Sequence, residues 1–474
     1  MNRDALGLLS KDDLIDLVLA QEARLATLER RLGLNSENSS KPPSSDGLNK
    51  PPAGKNKGRR TTSLREKSGR KPGGQKGHKG WTLRQVAEPD RTADHFPEAC
   101  RHCGSSLSAG MATGYGARQV FDLPEPRPLV VTEHRAHHCR CARCGGHTRA
   151  CFPAGVTAPV QYGARITAMV VYLAHYQLLP EDRLAALLGD LFGVALVPAT
   201  IARMGQSCVQ RVQGIVDKVR DLVKSAPVKH MDETGFRVGG RTQWLHIAST
   251  ALLTFYRVSA RRGSLLAGVT GIVVHDHWKP YFTMQGVLHA LCNAHHLREL
   301  KALIEIEKEA WALRMQGLLR RACHAANLAR ARGRPLKPSL IALIERRFEA
   351  IVSQGIAFHE AQPPLGAPAA LRKHRGRPKR RTGHNLLLRL RGRQQDVLRF
   401  LIDPAVPFTN NQAEQDGRMM KLKQKISGGF RGQQGAEDFA VVRSFISTAK
   451  KQGWNVIQAL MQDPETLTAR LRTA

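Results

Sequence analysis

Two short segments that each end in an aspartate constrain the fold of this chain most. Residues 228–231 lead into Asp232, and residues 271–275 lead into Asp276. Both segments have the length and the flanking residues of buried strands. Further strands are predicted over 243–249 and 253–259, and Gly239-Gly240 is typical of a hairpin turn. The pattern therefore predicts an α/β fold built around one sheet.

Three antiparallel strands followed by a strand that ends in Asp are typical of a ribonuclease-H-like core. We assign that catalytic core to residues 227–304 and 401–455. Residues 288–318 are predicted to be helical. Residues 305–400 are mostly helical and basic, which indicates an insertion, and residues 456–474 are expected to form a C-terminal tail.

A third acidic residue, Glu414, stands near the start of a helix predicted over 413–426. Two carboxylates at strand ends and one on a helix can hold two divalent cations beside a phosphodiester. We expect Asp232 to bridge both ions, Asp276 to bind one and Glu414 the other. The ions are expected to be Mg²⁺, with Mn²⁺ as a substitute. Taken singly, an Asp after a strand is more often a turn residue.

Neighbouring polar residues are expected to point elsewhere. Strand alternation turns Glu233 to the face opposite Asp232, and it turns His275 and His277 away from Asp276. These three side chains are therefore not predicted to bind the ions.

The helix that carries Glu414 is expected to contact DNA. Asn411, Glu414, Arg418 and Lys421 follow three- and four-residue steps and share one helix face. A metal ligand flanked by groups that reach phosphate would suit that face. The alternative is a solvated, charged surface helix.

A second polar group opens the helix after Asp276. Cys292 and His295 are three residues apart and share a helix face, with Arg298 one turn further on. A lone pair of this kind seldom binds metal. We expect Cys292 to lie in the core and His295 or Arg298 to approach the DNA strand that is cut.

The charge of the chain indicates a polyanionic partner. Its 474 residues contain 73 Lys and Arg against 39 Asp and Glu, a formal net charge of +34. Neutralising phosphates releases counterions, so DNA is the expected partner, although composition alone does not exclude RNA or an anionic membrane surface. The longest apolar run, 166–174, is too short to span a bilayer. We expect no membrane association and a soluble intracellular protein.

The first 34 residues predict a coiled-coil helix. Leu14, Val18, Leu25, Leu28 and Leu32 fit alternating three- and four-residue steps, with Gln21 as the polar exception between Val18 and Leu25. This short seam can form a dimer or pack within the chain, and a homo-oligomer on DNA is expected.

Two basic segments are candidates for contact with the phosphate backbone. Residues 35–94 are predicted to be a disordered basic arm in which Arg70, Lys71 and Lys76 track phosphates. Arg375 and Arg377 belong to an Arg-Gly-Arg-Pro core of the kind that fits a narrow minor groove. The alternatives are a flexible linker and a solvated basic loop.

Paired cysteines predict one structural zinc ribbon over residues 95–155. Two Cys-x-x-Cys-Gly knuckles can bring four thiolates to one tetrahedral ion. The preferred ligands are Cys100, Cys103, Cys141 and Cys144. Strand-like alternation over 120–138 is expected between the knuckles. Alternative ligands are Cys139, His102, His137 and His138.

Residues 156–226 are predicted to be a helical DNA-binding region. A helix that ends before Gly193 and a second that begins near Pro198 have the spacing of a helix-turn-helix motif. The second helix would present Thr200 and Arg203 to DNA. An ordinary pair of packed helices has the same pattern.

Together these residues resemble the DDE transposases of the insertion-sequence-sixty-six family, the large transposase subunit. The resemblance covers nearly the whole chain, including the cysteine knuckles. Its most specific segments are Asn-Ser-Ser-Lys-Pro-Pro-Ser at 38–44 and Asn-Asn-x-Ala-Glu at 410–414. Further segments of the resemblance are 231–234, 275–281 and the Cys292-x-x-His295 pair.

The resemblance implies a ribonuclease-H-like catalytic domain whose acidic residues match Asp232, Asp276 and Glu414. It implies cleavage at element ends, strand transfer by the freed 3′-OH, and small accessory proteins as partners. Two other functions fit the composition: a non-catalytic, zinc-containing DNA-binding regulator, and a nuclease without strand transfer.

Overall fold

The computed structural model describes residues 10–35, 38–39, 84–122, 129–363 and 380–473. Helices surround one large sheet, which confirms the predicted α/β class. The strands are β1 (His138–Arg140), β2 (His147–Arg149), β3 (Val228–Val238), β4 (Arg241–Ser249), β5 (Thr254–Ser259), β6 (Gly271–His275) and β7 (Val287–Leu291).

The α-helices fall into an N-terminal helix, a group before the sheet, a group after it, and a C-terminal group. They are α1 (Lys11–Gly33), α2 (Ala164–Val171), α3 (Glu181–Phe192), α4 (Pro198–Ser225), α5 (Asn293–Glu305), α6 (Ala310–Ala331), α7 (Pro338–Glu360), α8 (Thr382–Gly392), α9 (Gln394–Ile402), α10 (Asn411–Ser427), α11 (Gln433–Lys451), α12 (Val456–Met461) and α13 (Pro464–Ala469). Shorter helical turns are Ala109–Met111, Tyr172–Tyr176 and Lys279–Thr283.

The large sheet has the order β5-β4-β3-β6-β7. Strands β3, β4 and β5 pair antiparallel, whereas β6 runs parallel to β3 and β7 parallel to β6. Gly239 (φ 52°) and Gly240 (φ 76°) form the turn between β3 and β4. Both positions need a positive φ, which glycine adopts without strain. The predicted hairpin and the strand that leads into Asp276 are therefore confirmed.

Helices cover both faces of the sheet. On one face, α4 packs against β3 and β6 through a buried cluster that includes Val223, Met231 and Val273. On the other face, α10 and α11 cover Phe236 and Ile247. Successive residues of a strand alternate between the faces. Asp232 therefore lies on the side of α10, and Glu233 lies on the side of α4.

The residues between α5 and α10 are largely helical, as predicted from their composition. Helices α6 to α9 pack against β6 and β7, the two strands at one edge of the sheet. The hydrophobic cluster between them includes Val274, Ala290, Leu319, Phe348 and Leu387. This layer lies next to the end of β6 that leads into Asp276.

Helix α1 begins with a capping box, in which the side chain of Ser10 accepts from the backbone of Asp13 and Asp13 reaches back. Arg30 pairs with Glu307 at 2.8 Å, so the end of α1 contacts the segment between α5 and α6. The described residues leave most of the seam uncovered. Its members Val18, Leu25, Leu28 and Leu32 are exposed.

Helices α3 and α4 meet across a five-residue turn that begins at Gly193, where φ is 65°. Leu188, Val194 and Ile201 are buried together. Helix α4 continues for 28 residues, and its later part packs against the sheet. The predicted helix-turn-helix segment is thus joined rigidly to the core by one continuous helix.

Two predictions about the ends of elements are wrong. Strand β3 does not end before Asp232 but runs to Val238, because pairing with β4 continues through its polar residues. Residues 287–291 form β7 rather than the start of a helix, since a short apolar run fits either structure. The expected tail forms α12 and α13, which bury Leu460 and Leu467.

The expected strand over 120–138 is also wrong within the described residues. Strand β1 begins only at His138 and pairs with β2, so the hairpin encloses the second knuckle instead of joining the two. Among the described residues, no helix combines the length and the apolar character needed to cross a membrane.

Candidate active site

Asp232 and Asp276 are brought together by the register of two parallel strands. Lys229 pairs with Val273 and His230 with Val274. The same register, carried two residues further, sets Asp232 opposite Asp276. Neighbouring strands lie about 4.8 Å apart, and paired residues point to the same face. Asp276 directly follows β6, so this register brings the two aspartates to neighbouring positions, and the charge of Asp276 raises the pKa of Asp232.

Asn410 fixes the start of α10 against the same strand. Its side-chain Nδ2 donates to the Met231 carbonyl at 2.8 Å, and its Oδ1 lies 2.9 Å from His230 Nδ1. Its backbone N–H donates to Cys292 Sγ at 3.1 Å. Asn410 is only 1% exposed. These contacts clamp the helix that carries Glu414 to β3 just before Asp232 and to Cys292 at the start of α5.

Close packing holds the next turn of α10 on the sheet. A Cβ at Gly417 would come within 2.8 Å of Ile247 Cδ1, so any larger residue there would require the end of the Ile247 side chain to shift. Ala413 is fully buried. One turn along, Asp416 accepts from Lys451 Nζ at 2.7 Å, which ties α10 to α11. Glu414 is therefore placed by packing on one side and polar contacts on the other.

The pKa of Asp232 shows that this carboxylate interacts with the other acidic groups. Burial raises the pKa of Asp232 well above its usual range, and the charges of Glu233, Asp276 and Glu414 raise it further. Burial also raises the pKa of Asp276, opposed by a hydrogen bond from the Trp278 N–H. Desolvated carboxylates that repel one another are stabilised by a shared cation.

The three carboxylates are close without being in mutual contact. In the described parts of the chain, oxygens of Asp232, Asp276 and Glu414 do not all lie within 4.8 Å of one another. A two-metal centre does not require this, because its ions are about 3.5–4 Å apart and the outer ligands bind different ions.

Glu233 is held on the opposite face, as predicted. It accepts from Arg262 Nε at 2.8 Å and from the Tyr281 hydroxyl at 2.6 Å. Arg262 also lies over the rings of Trp244 and Trp278. The buried Glu233 carboxylate is thus committed to an ion pair with Arg262 on the α4 face of β3.

The histidines beside Asp276 also have other partners. His275 is buried, stacks on Tyr281 and lies with its Nε2 3.0 Å from His289 Nδ1. His277 contacts the ring of Phe282. Burial lowers the pKa of both His275 and His277, so both rings are neutral at pH 7.

A comparison with known proteins is decisive for the family. The model of the "Transposase IS66 family" matches residues 159–438, which include β3, β6 and all of α10. The chain belongs to this family. A second model, a family of unknown function (DUF6444), matches residues 13–84.

One curated relative of this IS66-family chain is the "Uncharacterized protein y4jO" of Sinorhizobium fredii (strain NBRC 101917 / NGR234). The two are 36% identical over 119 residues, which are 23% of this chain and 37% of that protein. The match therefore spans little more than a third of the relative.

Two predicted DNA contacts of this IS66-family chain surround Glu414. His295 Nδ1 lies 3.8 Å from Glu414 Oε1, and Arg298 Nη2 lies 3.7 Å from the same oxygen. Arg298 thereby brings positive charge to the edge of the acidic cluster. Cys292 is buried, as expected, with its Sγ 3.9 Å from Glu414 Oε1.

The other predicted contacts are distributed over the surface. Asn411 and Arg418 are exposed on α10, and Lys421 donates to the Gly235 carbonyl at 2.8 Å. On α4, Arg203 is exposed and Thr200 is half-buried. The predicted contacts Arg70, Lys71, Lys76, Arg375 and Arg377 lie outside the described residues.

The cysteine pairs form two separate knuckles. Gly104 N–H donates to the Cys100 carbonyl and Gly145 N–H to the Cys141 carbonyl, both at 2.9 Å. Each glycine has a positive φ. Across the described residues, however, no three of the four sulfurs lie within 4.8 Å of one another. The turns suit metal binding, whereas the convergence of both pairs stays a prediction.

Two functional positions were missed by sequence reasoning. The sequence marks Asn410 only as a member of the Asn-Asn-x-Ala-Glu segment at 410–414. In the structure Asn410 is the N-cap residue of α10, and its amide bonds to β3 instead of capping the helix. Gly417 gave no signal, since a helical glycine alone does not reveal what packs against it.

Proposed function

We propose that this chain is a DDE transposase that cleaves DNA at the ends of an insertion sequence and joins the freed 3′-OH to target DNA. The observation that carries the proposal is that Asp276 and Glu414 lie near enough to Asp232 for their charges to raise its pKa. Family membership supports transposition, and the order of antiparallel and parallel strands supports a ribonuclease-H-like core.

The donor set suits divalent cations that prefer oxygen ligands. Asp232 is proposed to bridge two Mg²⁺ or Mn²⁺ ions, Asp276 to bind one and Glu414 the other. The raised pKa of Asp232 and Asp276 supports this, because each is a desolvated carboxylate whose ionised form needs a counter-charge. When bound, such ions activate the attacking oxygen and stabilise the leaving oxygen of an in-line displacement.

The residues of the chain are proposed to position this chemistry. The paired strands hold Asp232 and Asp276 rigidly, and Asn410 holds Glu414 over them. Arg298 beside Glu414 is proposed to approach a phosphate of the cleaved strand. Rigid carboxylates on strands and a packed helix keep their geometry without being reorganised during the reaction.

Contact with DNA is proposed to extend beyond the acidic cluster. The net charge of +34 supports binding to a long polyanion. Exposed Arg418 on α10 and Arg203 on α4 are proposed phosphate contacts, together with the basic arm. The exposed seam of α1 supports a homo-oligomer on DNA, and small accessory proteins remain proposed partners. One structural zinc is proposed at the cysteine knuckles.

The test is cleavage and joining of DNA that carries the element ends, with and without Mg²⁺. We expect Asp232→Ala to abolish cleavage and to retain DNA binding. The matched control is Glu437→Gln, an exposed carboxylate change on α11 that should retain both activities.

The outcomes separate the competing functions. Cleavage without joining of a donor end with a free 3′-OH would indicate a nuclease. Salt-sensitive binding without strand breakage in Mg²⁺ or Mn²⁺ would indicate a regulator. Cleavage by Asp232→Ala at the wild-type rate would refute the assigned residues.

A further inference from the structure

A second donor group lies against the acidic cluster and differs from it in chemistry. Cys292, His295 and Glu414 each offer one ligand atom, and the three atoms lie within 4.8 Å of one another. Cys292 Sγ is 3.9 Å and His295 Nδ1 3.8 Å from the same oxygen, Oε1 of Glu414. Among the described residues this is the one group of three such donors that meets this distance.

The spacing fits a tetrahedral ion. Zinc bonds of about 2.3 Å to sulfur, 2.0–2.1 Å to nitrogen and 2.0–2.2 Å to oxygen place tetrahedral ligand atoms about 3.4–3.6 Å apart. The observed separations of 3.8 and 3.9 Å need shifts of only a few tenths of an ångström. A thiolate, an imidazole and a carboxylate form a zinc-type set, whereas Mg²⁺ prefers oxygen donors alone.

His295 supplies an independent indication of a ligand. Its Nδ1 is buried and has no hydrogen-bond partner within the described structure, although it points toward Glu414. A buried polar atom without a partner is costly unless another group satisfies it.

Cys292 holds its sulfur toward Glu414. Its S–H donates to Glu414 Oε1, and its Sγ accepts from the Asn410 N–H at 3.1 Å. Glu414 and His295 keep about a fifth of their side chains exposed, at 23% and 21%, so an ion can reach the group from that side. The opposing feature is Arg298, whose guanidinium lies 3.7 Å from Glu414 and must move aside.

We propose that Cys292, His295 and Glu414 form an inhibitory site for a thiophilic divalent cation of the zinc type. An ion held there occupies the carboxylate of Glu414 and removes it from the Mg²⁺ centre. The ion displaces the thiol proton to solvent, and no redox step is involved. The binding part of this proposal stands on geometry alone, and the inhibitory part rests on the proposed function.

The binding test uses Co²⁺ as a probe on the full chain. Thiolate bound to Co²⁺ gives a charge-transfer absorption band, and the difference between wild type and Cys292→Ser isolates this site from the other cysteines. We expect the variant to lose one Co²⁺ per chain and the corresponding band. Cys323→Ser, a buried cysteine in the helical layer, is the matched control and should keep both.

A second variant guards against loss of folding in the first. His295→Gln keeps the thiol and should weaken Co²⁺ binding about tenfold or more, since one of three protein ligands is lost. Arg298→Gln should strengthen binding by removing the opposing charge. Equal Co²⁺ content and equal absorption in wild type, Cys292→Ser and His295→Gln would overturn the proposal.

The inhibition test measures Mg²⁺-dependent cleavage during a Zn²⁺ titration, with each protein normalised to its own rate without zinc. Wild type and Cys323→Ser should be inhibited at about tenfold lower Zn²⁺ than Cys292→Ser. Equal inhibition of all three would refute the regulatory role. A protein that binds Co²⁺ through Cys292 but never cleaves DNA would instead refute the proposed transposase activity.

Discussion

Substitution of Asn410 perturbs the site most specifically, because it leaves every acidic side chain in place. Its amide joins α10 to β3 through the Met231 carbonyl and His230 Nδ1, contacts between positions about 180 residues apart in the sequence. Asn410→Ala removes both contacts but leaves the backbone bond to Cys292. The change therefore loosens the anchor of Glu414 and nothing else in the cluster.

The expected cost follows from burial. Met231 is 2% and His230 8% exposed, so water does not readily replace the lost amide. A buried group left without its partner costs about 1–3 kcal/mol, and two such groups give about 2–6 kcal/mol of lost unfolding free energy. A displacement of Glu414 by about 1 Å is expected to slow cleavage about a hundredfold.

The assay combines urea unfolding with single-turnover cleavage of end DNA. Gln415→Ala, an exposed change on the same helix, is the control and should alter the unfolding free energy by less than about 0.5 kcal/mol. DNA affinity should be unchanged in both variants. A loss below about 1 kcal/mol in Asn410→Ala, or wild-type cleavage by that variant, would refute the anchoring role.

Three further predictions concern charge and metal. Because the folded-state pKa of Asp232 is raised, its ionisation destabilises the fold as pH rises above about 4, so Asp232→Asn should melt higher than wild type at pH 7 without divalent ions. That advantage should vanish in scans below pH 4 and be absent in Glu437→Gln. Joint replacement of Cys100 and Cys103 by Ser should remove one zinc per chain in metal analysis, and an unchanged zinc content would exclude these ligands. Arg418→Gln should weaken DNA binding and reduce the slope of log affinity against log salt by about one, and an unchanged slope would exclude a phosphate contact.

The sequence predicted the sheet well where local signals were strong. The turn at Gly239-Gly240 and the segment that leads into Asp276 needed only neighbouring residues to be recognised. Strand β3 was cut short because Asp232, Glu233 and Thr234 look like the end of a strand. These residues lie inside the strand because the pairing of β3 with β4 continues through them to Val238.

Non-local contacts set the limit of sequence reasoning. The short apolar run of β7 fits a strand or a helix, and only its parallel pairing with β6 decides. The role of Asn410 depends on Met231 in a distant strand, and Gly417 depends on Ile247 across the helix–sheet interface. The acidic residues themselves were predicted, whereas the side chains that position Glu414 were not.

Direct measurement of bound Mn²⁺ by electron paramagnetic resonance tests the central claim that three carboxylates share a cation pair. Wild-type chain on end DNA should bind two Mn²⁺ above the level of DNA alone, and Glu437→Gln should bind the same number. Asp232→Asn should lose both ions, whereas Asp276→Asn and Glu414→Gln should each lose one. Two bound ions in the Asp232→Asn protein would contradict the account.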